Sequence, residues 1–429
     1  MGLNETDLPV PRISVVTAFP DTVRSYLSSS VLGRGIEHGL LDVSLVDLRD
    51  FAGGAYRQID DYSYGGGGMV LMAAPLDAAV ESAAAGEDRY VVYPSPQGRP
   101  FCQELAEDLR GIAARKRLVF VCGHYEGVDE RFVRRSVDME ISIGDFVITG
   151  GELPSLAMID AIARLVPGVV GSFDSVKEDS FFSGMLDNPH YTRPEDWGGD
   201  RVPETLLGGH HAAINRYRRR EAAGRTVSRR PELLAKAGIM PYLECGVYVL
   251  ELHHPVLDRN GCESTTAVTG MDLHDIARAC RTYGVRKFII VTPLESQRKL
   301  ISEVASHWIT GYGAEFNPDR ADAMRGIKTV SSVSRALDWI KEKEGRPPFI
   351  IATTARERAG SLSWLTLKET ALLAARPVVL VFGTGSGLCE ETLDSADAVM
   401  SPISGGQGYN HLSVRSAVSI TLDRFFGFR

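Results

Sequence analysis

The sequence S-I-G-D-F-V-I-T-G-G-E-L-P, residues 142–154, decides the fold of the first part of this chain. Its apolar run Phe146-Val147-Ile148 predicts the end of a buried strand, and Gly150-Gly151 allows a sharp turn before a helix that opens at Glu152. Main-chain N–H and C=O groups left open at such a corner can hold a flat polar ligand. A tight turn with no ligand gives the same pattern, so the corner alone leaves both interpretations open.

Length and composition indicate a folded protein with more than one domain. The 429 residues exceed one ordinary hydrophobic core and predict two or three domains. The apolar content of 44% and the charged content of 24% are typical of globular proteins. No apolar run approaches the roughly 18 residues of a membrane-spanning helix, and residues 1–12 lack the pattern of a signal peptide. We therefore expect a cytoplasmic protein without a membrane partner.

Cysteine spacing and net charge exclude further classes of protein. The six cysteines lie far apart without a C-x-x-C pair, so neither a zinc site nor a disulfide framework is indicated. The net charge of −8 argues against nonspecific nucleic-acid binding by the whole protein. Residues 216–230 nevertheless contain seven Arg against one Glu, and clustered guanidinium groups favour RNA phosphates and bases. A solvated helix face is the alternative.

The order of patterns in the first part of the chain predicts a parallel sheet. Strand patterns alternate with helical patterns, which is typical of a sheet covered by helices on both faces. The strands are predicted at 13–17, 42–48, 89–94 and 117–122, and the helices at 21–38, 73–85 and 101–115. Glycine-bearing loops follow at 93–98, 122–127 and 148–154. Because the carboxyl ends of parallel strands share one edge of a sheet, these loops are expected to form one pocket.

The alternation starts afresh after Pro241. Strands are predicted at 246–252, 287–291, 328–330, 348–352 and 377–382, with helices at 272–283, 295–306 and 333–342. The last strand runs into the glycines of residues 383–388, and residues 403–416 lead into an apolar helix that ends near Phe426. A second α/β domain with a glycine-lined strand end is therefore predicted.

Six motifs of the first part carry a family resemblance. They are Tyr93-Pro94-Ser95-Pro96-Gln97-Gly98, Cys122-Gly123-His124-Tyr125-Glu126-Gly127-Val128-Asp129-Glu130-Arg131, Ser142-Ile143-Gly144-Asp145-Phe146, Gly150-Gly151-Glu152-Leu153-Pro154, Glu178-Asp179-Ser180-Phe181 and Pro189-His190-Tyr191-Thr192-Arg193-Pro194. With them, residues 12–238 resemble the bacterial tRNA (guanine-N1)-methyltransferases of the SPOUT superfamily, which modify guanine 37, just 3′ of the anticodon. The resemblance implies a trefoil-knotted α/β domain, a bent S-adenosylmethionine, dependence on Mg²⁺, and a homodimer with shared active sites.

A second resemblance covers about 243–429. Leu252-His253-His254-Pro255-Val256, His274-Asp275-Ile276-Ala277-Arg278 and Tyr283-Gly284-Val285 resemble a poorly characterised SPOUT-class RNA methyltransferase domain. The two resemblances together divide the chain into a methyltransferase domain at 12–172, a small helical tRNA-binding domain at 173–239, and a second SPOUT-like domain at 240–429. The implied fold class is a knotted parallel α/β sheet, a small helical domain, and a second knotted α/β domain. The implied partners are tRNA and a second copy of the chain, and no other protein partner is indicated.

The chemistry of guanine N1 calls for two kinds of side chain. The nitrogen carries a proton, so methylation needs a base to remove it and a positive group to stabilise charge on O6. By resemblance, Asp179 is the base and Arg164 is the O6 stabiliser, while Glu126 and Asp187 match acidic residues of the site or of the Mg²⁺ requirement. A helix N-cap for Asp179 and surface positions for the other three are the structural alternatives. No metal-ligand set is indicated.

The resemblance also assigns the binding residues. The donor site in the first domain comprises Tyr93, Pro94, Ser95, Gln97, Gly98, Gly123, Tyr125, Glu126, Ser142, Ile143, Gly144, Phe146, Ile148, Gly150, Gly151 and Pro154. The donor site in the second domain comprises Thr353, Gly383, Gly385, Gly387, Leu388, Ile403, Asn410, Leu412 and Ser413. The RNA-binding residues are Arg193, Arg216, Arg218, Arg219, Arg225 and Arg229. No base is evident in the second domain, where Arg278 and Arg415 are candidates for RNA contacts or for ordinary ion pairs.

Departures from the family pattern concern the RNA side and the glycine flap. Gly208-Gly209-His210-His211 stands where the family has Ser-Gly-Asn-His, Tyr64–Met69 is one residue short, and Tyr56 replaces a histidine. Two rival classes remain. A nonenzymatic RNA-binding protein leaves Asp179 and Arg164 without a role, and a dehydrogenase would need G-x-G-x-x-G after the first strand, where this chain has Phe19-Pro20-Asp21.

Overall fold

The computed structural model describes residues 9–53, 57–171 and 179–428. Two compact units divide the chain, Met1–Glu178 and Asp179–Arg429. Tyr56 and Glu178 lie outside the described residues. Within the described ranges, every helix is too short or too polar to cross a membrane. The domain limits at 172 and 239 stay predictions.

The first unit alternates strands with helices in the predicted order. Its strands are β1 Arg12–Thr17, β2 Asp42–Asp47, β3 Asp60–Tyr62, β4 Met69–Leu71, β5 Arg89–Pro100, β6 Arg117–Val121 and β7 Met139–Ser142. Its helices are Pro20–Leu27, Ser30–Glu37, Ala73–Ala84, Gln103–Ala113, Glu130–Ser136 and Glu152–Arg164, with a 3₁₀ turn at Leu48–Phe51.

One parallel sheet organises this unit. Its strand order is β2-β1-β6-β5-β7, and β3 and β4 form a separate antiparallel hairpin. Buried apolar side chains lie on both faces of the sheet: Val15 and Phe120 belong to one core cluster, and Val16 and Val121 to the other. Alternate residues of one strand therefore serve different layers, as expected for a sheet between helices.

Two of the sequence predictions for this unit are wrong. Phe146-Val147-Ile148 is not a buried strand end, because β7 ends at Ser142 and the three side chains are 56%, 83% and 38% exposed. The Ser142 hydroxyl bonds to both main-chain groups of Gly144, and the chain leaves the sheet there with Gly144 at a φ of 144°. The predicted helix 21–38 is two helices, because the hydroxyls of Ser28 and Ser29 bond back to the main chain and compete with the helix.

The second unit repeats the alternation. Its strands are β8 Asp196–Trp197, β9 Asp200–Arg201, β10 Val247–Leu252, β11 Val256–Leu257, β12 Glu263–Ser264, β13 Lys287–Val291, β14 Ile327–Val330, β15 Phe349–Thr353, β16 Val378–Gly383 and β17 Ala398–Met400. Its helices are Glu204–Leu207, His211–Arg229, Gly270–Thr282, Glu295–Thr310, Tyr312–Phe316, Pro318–Met324, Val333–Glu344, Trp364–Ala374, Glu390–Asp394 and Val414–Phe426, with 3₁₀ turns at Pro231–Ala235 and Met240–Tyr242. The six strands of the parallel sheet are ordered β14-β13-β10-β16-β15-β17.

The helical segment that follows Asp179 shares its core with this second sheet. Leu234, Ala237 and Ile239 are fully buried in the same apolar cluster as Val247 of β10 and Leu367 of the helix Trp364–Ala374. Lys368, on the same helix, is also fully buried, and its ammonium group donates to the carbonyl oxygens of Leu234 and Ala237 at 2.8 Å and 2.6 Å. The cation therefore satisfies carbonyls at the end of a 3₁₀ turn that no water reaches.

We predict that Lys368→Met lowers the free energy of unfolding by about 3 kcal/mol, since two buried carbonyls lose a charged donor. Urea denaturation measures the loss, and limited proteolysis should detect earlier cleavage between 231 and 243. Lys341→Met is the matched control, because Lys341 is exposed on the last turn of the helix Val333–Glu344. Equal stability of the two variants would show that Lys368 does not hold the segment.

Candidate functional site

A cavity of about 300 Å³ lies at the carboxyl edge of the first sheet. The predicted loops 122–127 and 148–154 meet there with residues 93–98, which are not a loop but an irregularly paired part of β5. The cavity is lined by Tyr93, Pro94, Ser95, Gln97, Gly123, Tyr125, Glu126, Ser142, Ile143, Gly144, Phe146, Ile148, Gly150, Gly151 and Pro154. Of the predicted donor residues, Gly98 alone is not part of this lining. A Cβ on Gly98 would lie 2.3 Å from the amide nitrogen of Ile141, so its glycine lets β7 pass against β5.

Close main-chain packing shapes the floor of this cavity. A Cβ on Gly151 would lie 2.7 Å from Cα of Cys122 and 2.8 Å from the amide nitrogen of Gly123. A Cβ on Gly123 would meet the ring of Tyr93 at 2.8 Å. Burial raises the pKa of the Cys122 thiol, so it stays protonated beneath the floor. The floor of the cavity is formed by packed peptide groups and the ring of Tyr93, and a flat ligand can contact both.

A buried carboxylate that the sequence did not single out joins two of the loops. Glu152 is 6% exposed, and the Thr17 hydroxyl donates to it at 2.6 Å. Nε2 of His124 lies 2.8 Å and 2.9 Å from the two carboxylate oxygens, and the ring of Phe19 packs on His124 with 4.8 Å between centroids. Glu152 and His124 both belong to quoted motifs. The signal that could have revealed them is an acidic residue at the start of an apolar helix, where burial demands partners.

The candidate catalytic residues of the first domain do not all lie in one unit. Glu126 is exposed at the cavity, and its side chain packs against Gly68 of the flap, where a Cβ would come within 2.6 Å of the carboxylate. Arg164 is exposed on the last turn of the helix Glu152–Arg164. Asp179 belongs to the second unit. The described residues of one unit therefore do not assemble base, cation and cavity together.

The segment after Asp179 is held by a network of polar contacts. Asp187 accepts from the main chain and side chain of Asn188 at 2.6 Å and 2.8 Å, and its other oxygen lies 2.7 Å from Nε2 of His190. The amide of Leu186 donates to the Thr226 hydroxyl on the helix His211–Arg229. Asp187 is therefore engaged by protein groups. Within the described ranges, no group of three or more His, Cys, Asp or Glu side chains could hold a metal ion.

The predicted arginine cluster lies on the helix His211–Arg229. Arg216, Arg218, Arg219 and Arg229 are exposed, Arg225 is half-buried, and Arg193 is exposed on the preceding segment. Burial, the hydrogen bond to Tyr191 and the charge of Glu221 raise the pKa of Tyr217 to about 12, so this phenol stays protonated. The Tyr191–Tyr217 contact ties the segment of Arg193 to the arginine helix. His210 caps this helix through Nδ1, and His211 begins it.

A second cavity of about 710 Å³ lies at the carboxyl edge of the second sheet. All the residues predicted for a second donor site line it: Thr353, Gly383, Gly385, Gly387, Leu388, Ile403, Asn410, Leu412 and Ser413. Ser413 caps the helix Val414–Phe426, whereas Asn410 donates to the carbonyl oxygen of Ala355. Arg415 pairs with Asp272 and Asp275, and Arg278 is exposed.

Comparison with known proteins assigns both halves of the chain. Residues 11–236 match the profile described as tRNA (guanine-1)-methyltransferase TrmD. The chain belongs to this family. Residues 246–427 match a second family, described as SAM-dependent RNA methyltransferase. Both resemblances found in the sequence are thereby confirmed, and the two family matches cover the two parallel sheets.

Relatives named tRNA (guanine-N(1)-)-methyltransferase include proteins that align with nearly the whole chain and proteins that align with about half of it. The proteins of Nitratidesulfovibrio vulgaris and Oleidesulfovibrio alaskensis are each 39% identical over 97% of this chain and 99% of their own length. The protein of Magnetococcus marinus is 50% identical over 53% of this chain and 90% of its own length. The two-domain arrangement is therefore shared with some members of the TrmD family.

We predict that Gly151→Ala weakens binding of S-adenosylmethionine roughly ten- to hundredfold. The added methyl group has no space above Cys122, and overpacking of about 1–3 kcal/mol must displace the floor of the cavity. Isothermal titration calorimetry measures the Kd of S-adenosylmethionine at each of the two predicted donor sites, and only the Kd of the first site should change. Gly53→Ala is the control, because a Cβ there has open space. Unchanged affinity in Gly151→Ala would place the donor elsewhere.

We predict that Glu152→Ala lowers the free energy of unfolding by about 3 kcal/mol, because it leaves His124 and Thr17 without their buried partner. Chemical denaturation followed by circular dichroism measures the change. Glu130→Ala is the control: Glu130 also opens a helix, but it is exposed and pairs with Arg134 at the surface, so about 0.5 kcal/mol or less is expected. A loss in Glu152→Ala no larger than the control would exclude a role in joining the loops.

Proposed function

We propose that this chain transfers a methyl group from S-adenosylmethionine to N1 of guanine 37 in tRNA. The observation that carries the proposal is the cavity where three segments at the edge of the first sheet meet on main chain, in a chain of the TrmD family. Bound S-adenosylmethionine supplies an electrophilic methyl group. The other requirements, a base, a cation and a surface for RNA, fall to side chains of the protein.

The fit of the donor is supported by the chemistry of the cavity. Peptide groups around Gly123 and Gly150-Gly151 offer donors and acceptors to an adenine edge and to hydroxyl groups, and the Tyr93 ring offers an apolar surface. A volume of about 300 Å³ is at the lower end of the range for small-molecule sites, so the cavity suits the donor alone. The target base must then approach from outside the lining.

Three side chains divide the proton chemistry. Asp179 accepts the proton of guanine N1, and the guanidinium group of Arg164 stabilises the negative charge that develops on O6. Glu126, at the mouth of the cavity, orients the target guanine through a hydrogen bond. The flap supports this role, since the main chain of Met69 accepts from the amide of Glu126 and Gly68 packs on its carboxylate.

A homodimer with a knotted interface completes the proposal. Asp179 and Arg164 belong to different compact units, and in the dimer each active site takes Asp179 from the partner subunit. An apolar surface supports the dimer: Phe146, Val147 and Leu153 are 56%, 83% and 63% exposed, which is unusual for adjacent large apolar side chains. The trefoil knot would pass through the loops that form the cavity.

Binding of tRNA is assigned to Arg193 and to the arginine helix. Phosphate contacts from exposed guanidinium groups fix the register of the RNA, while the target base is splayed out toward the cavity. A requirement for Mg²⁺ and a cytoplasmic location stay predictions. Glu126 and Asp187 are the carboxylates that a Mg²⁺ titration should test first, as the ion prefers one or two carboxylates together with substrate oxygens.

We predict that Asp179→Ala and Arg164→Ala each lower kcat by at least about 100-fold, and that mixing the two variants restores activity. After subunit exchange, half of the dimers carry one intact site, so about a quarter of wild-type activity should return. Labelled methyl transfer to an unmodified tRNA transcript measures the rate, and nucleoside analysis identifies the product as N1-methylguanosine.

Two controls make this experiment decisive. A transcript with adenine at position 37 should yield no labelled N1-methylguanosine, and formation of that product would exclude guanine 37 as the target. As the second control, Asp179→Ala is mixed with wild-type protein from which bound S-adenosylmethionine has been removed. The activity of this mixture should equal that of the wild type diluted to the same extent. If the two variants fail to complement although each sediments as a dimer, the shared active site is wrong, and full activity of Asp179→Ala would exclude it as the base.

A further inference from the structure

The second cavity contains a carboxylate that no assignment above uses. Asp272 lies in the first turn of the helix Gly270–Thr282 and lines the cavity with a side chain that is 11% exposed. The Thr269 hydroxyl donates to one of its oxygens at 2.6 Å. The guanidinium group of Arg415 donates to the other oxygen at 3.2 Å. Two donors therefore hold this carboxylate in a fixed orientation at the cavity wall.

Arg415 connects this carboxylate with the predicted donor site. It lies in the first turn of the helix Val414–Phe426, two residues after Ser413, and it lines the same cavity. Its side chain is 35% exposed and also lies 3.7 Å from Asp275. A carboxylate and a guanidinium group thus stand side by side, next to residues that would contact the methyl donor.

The wall also contains a buried hydroxyl group without a hydrogen-bond partner among the described residues. The hydroxyl of Thr421 lines the cavity, is fully buried and has no hydrogen-bond partner among the described residues. A buried hydroxyl without a partner costs free energy, and such groups in native proteins call for an explanation. Thr421 therefore leaves one hydrogen-bonding group unsatisfied beside the cavity.

Two further titratable groups lie behind the wall, Glu251 and His253. Glu251 of β10 is fully buried, and burial raises the pKa of its carboxyl group, with a further increase from Asp272. The imidazole of His253 stands 3.6 Å from Glu251 and lowers this pKa in part. Burial therefore disfavours a charge on Glu251, whereas Asp272 has a hydroxyl and a guanidinium group as partners.

The volume of the cavity leaves room for more than the donor. At about 710 Å³ it has over twice the volume of the first cavity, and it lies in the upper part of the range for small-molecule sites. A methyl donor and one nucleobase can therefore occupy it together. The nucleobase would lie against the wall formed by Asp272, Arg415 and Thr421.

We propose that the second cavity is a methyl-transfer site for an RNA base whose ring N–H stands beside a carbonyl group, with Asp272 as the base and Arg415 as the cation that stabilises the carbonyl oxygen. This inference rests on the proposed binding of S-adenosylmethionine in the second domain. Keto bases such as guanine and uracil have the required N–H and C=O groups, and each group has a matching partner on the wall.

The reaction balances without any further reagent. The ring nitrogen forms a bond to the methyl carbon as the bond from that carbon to the sulfonium sulfur breaks, and the bonding pair stays on sulfur. The proton of the ring nitrogen passes to the Asp272 carboxylate. The carbonyl oxygen carries negative charge while the proton leaves, and Arg415 lies where it can neutralise that charge.

The test uses the full chain with Asp179→Ala, which removes the proposed base of the first site. This protein is incubated with methyl-labelled S-adenosylmethionine and total RNA from cells that lack the gene, and the labelled nucleoside is identified after digestion. The assay is then repeated with a double variant that carries Asp272→Asn as well as Asp179→Ala. The Asp179→Ala protein should form a methylated keto base. The added Asp272→Asn change should lower the rate at which this product forms by at least about 100-fold. Equilibrium dialysis should still show two donors bound per chain.

Matched variants separate chemistry from folding. Asp319→Asn changes an exposed aspartate in the first turn of another helix and should leave the rate unchanged. Arg415→Gln tests the same pair from the other helix, and should lower the rate without loss of donor. The melting temperature of each variant is recorded, so a loss of rate in a folded, donor-binding variant supports the assignment.

Each contrary result has a distinct meaning. Full rate in Asp272→Asn overturns its role and leaves second-site methylation standing. A ribose-methylated product overturns the assignment of a ring N–H. Absence of label in the Asp179→Ala protein, with two donors bound, overturns the second reaction itself. Binding of only one donor per chain overturns the second donor site on which the inference rests, whereas the proposed guanine 37 reaction is judged separately by its own transcript.

Discussion

Main chain packed directly on main chain is the constraint on which both cavities depend. A Cβ on Gly151 would lie 2.7 Å from Cα of Cys122, and one on Gly383 would lie 2.7 Å from the amide nitrogen of Leu388. Both glycines lie at the carboxyl edge of a parallel sheet, where peptide groups are exposed to a ligand. Any side chain at either position would occupy space that the loops need, and the cavities would lose their floors.

Sequence patterns predicted the sheets well because their causes are local. The alternation of apolar strands and amphipathic helices follows from burial on both faces, and β1, β6 and β13 lie within one or two residues of their predicted limits. Parallel topology explains why residues 93–98 and 122–127 meet at one edge, whereas residues 148–154 reach the cavity only after the chain has left β7 at Ser142. The apolar run at Phe146 was misread because a short apolar segment has the same pattern whether it is a buried strand or an exposed surface.

Sequence patterns did not predict the side-chain pairs that join distant segments of the chain. Glu152 meets Thr17 across 135 positions, and Arg415 meets Asp272 across 143. Neither pair follows from spacing or periodicity, because only the tertiary fold brings its members together. Lys368 is a similar case. A lysine is expected at the surface, and only the tertiary fold shows its contacts with Leu234 and Ala237.

The two proposed sites differ in what they need in order to be complete. The proposed base and cation of the first site, Asp179 and Arg164, belong to different compact units. Asp272 and Arg415 belong to one unit and already lie 3.2 Å apart. That unit also carries the arginine helix His211–Arg229, so the helix and the second cavity belong to one compact unit. The chain therefore joins a proposed site whose base and cation come from two units to a proposed site whose base and cation lie within one unit.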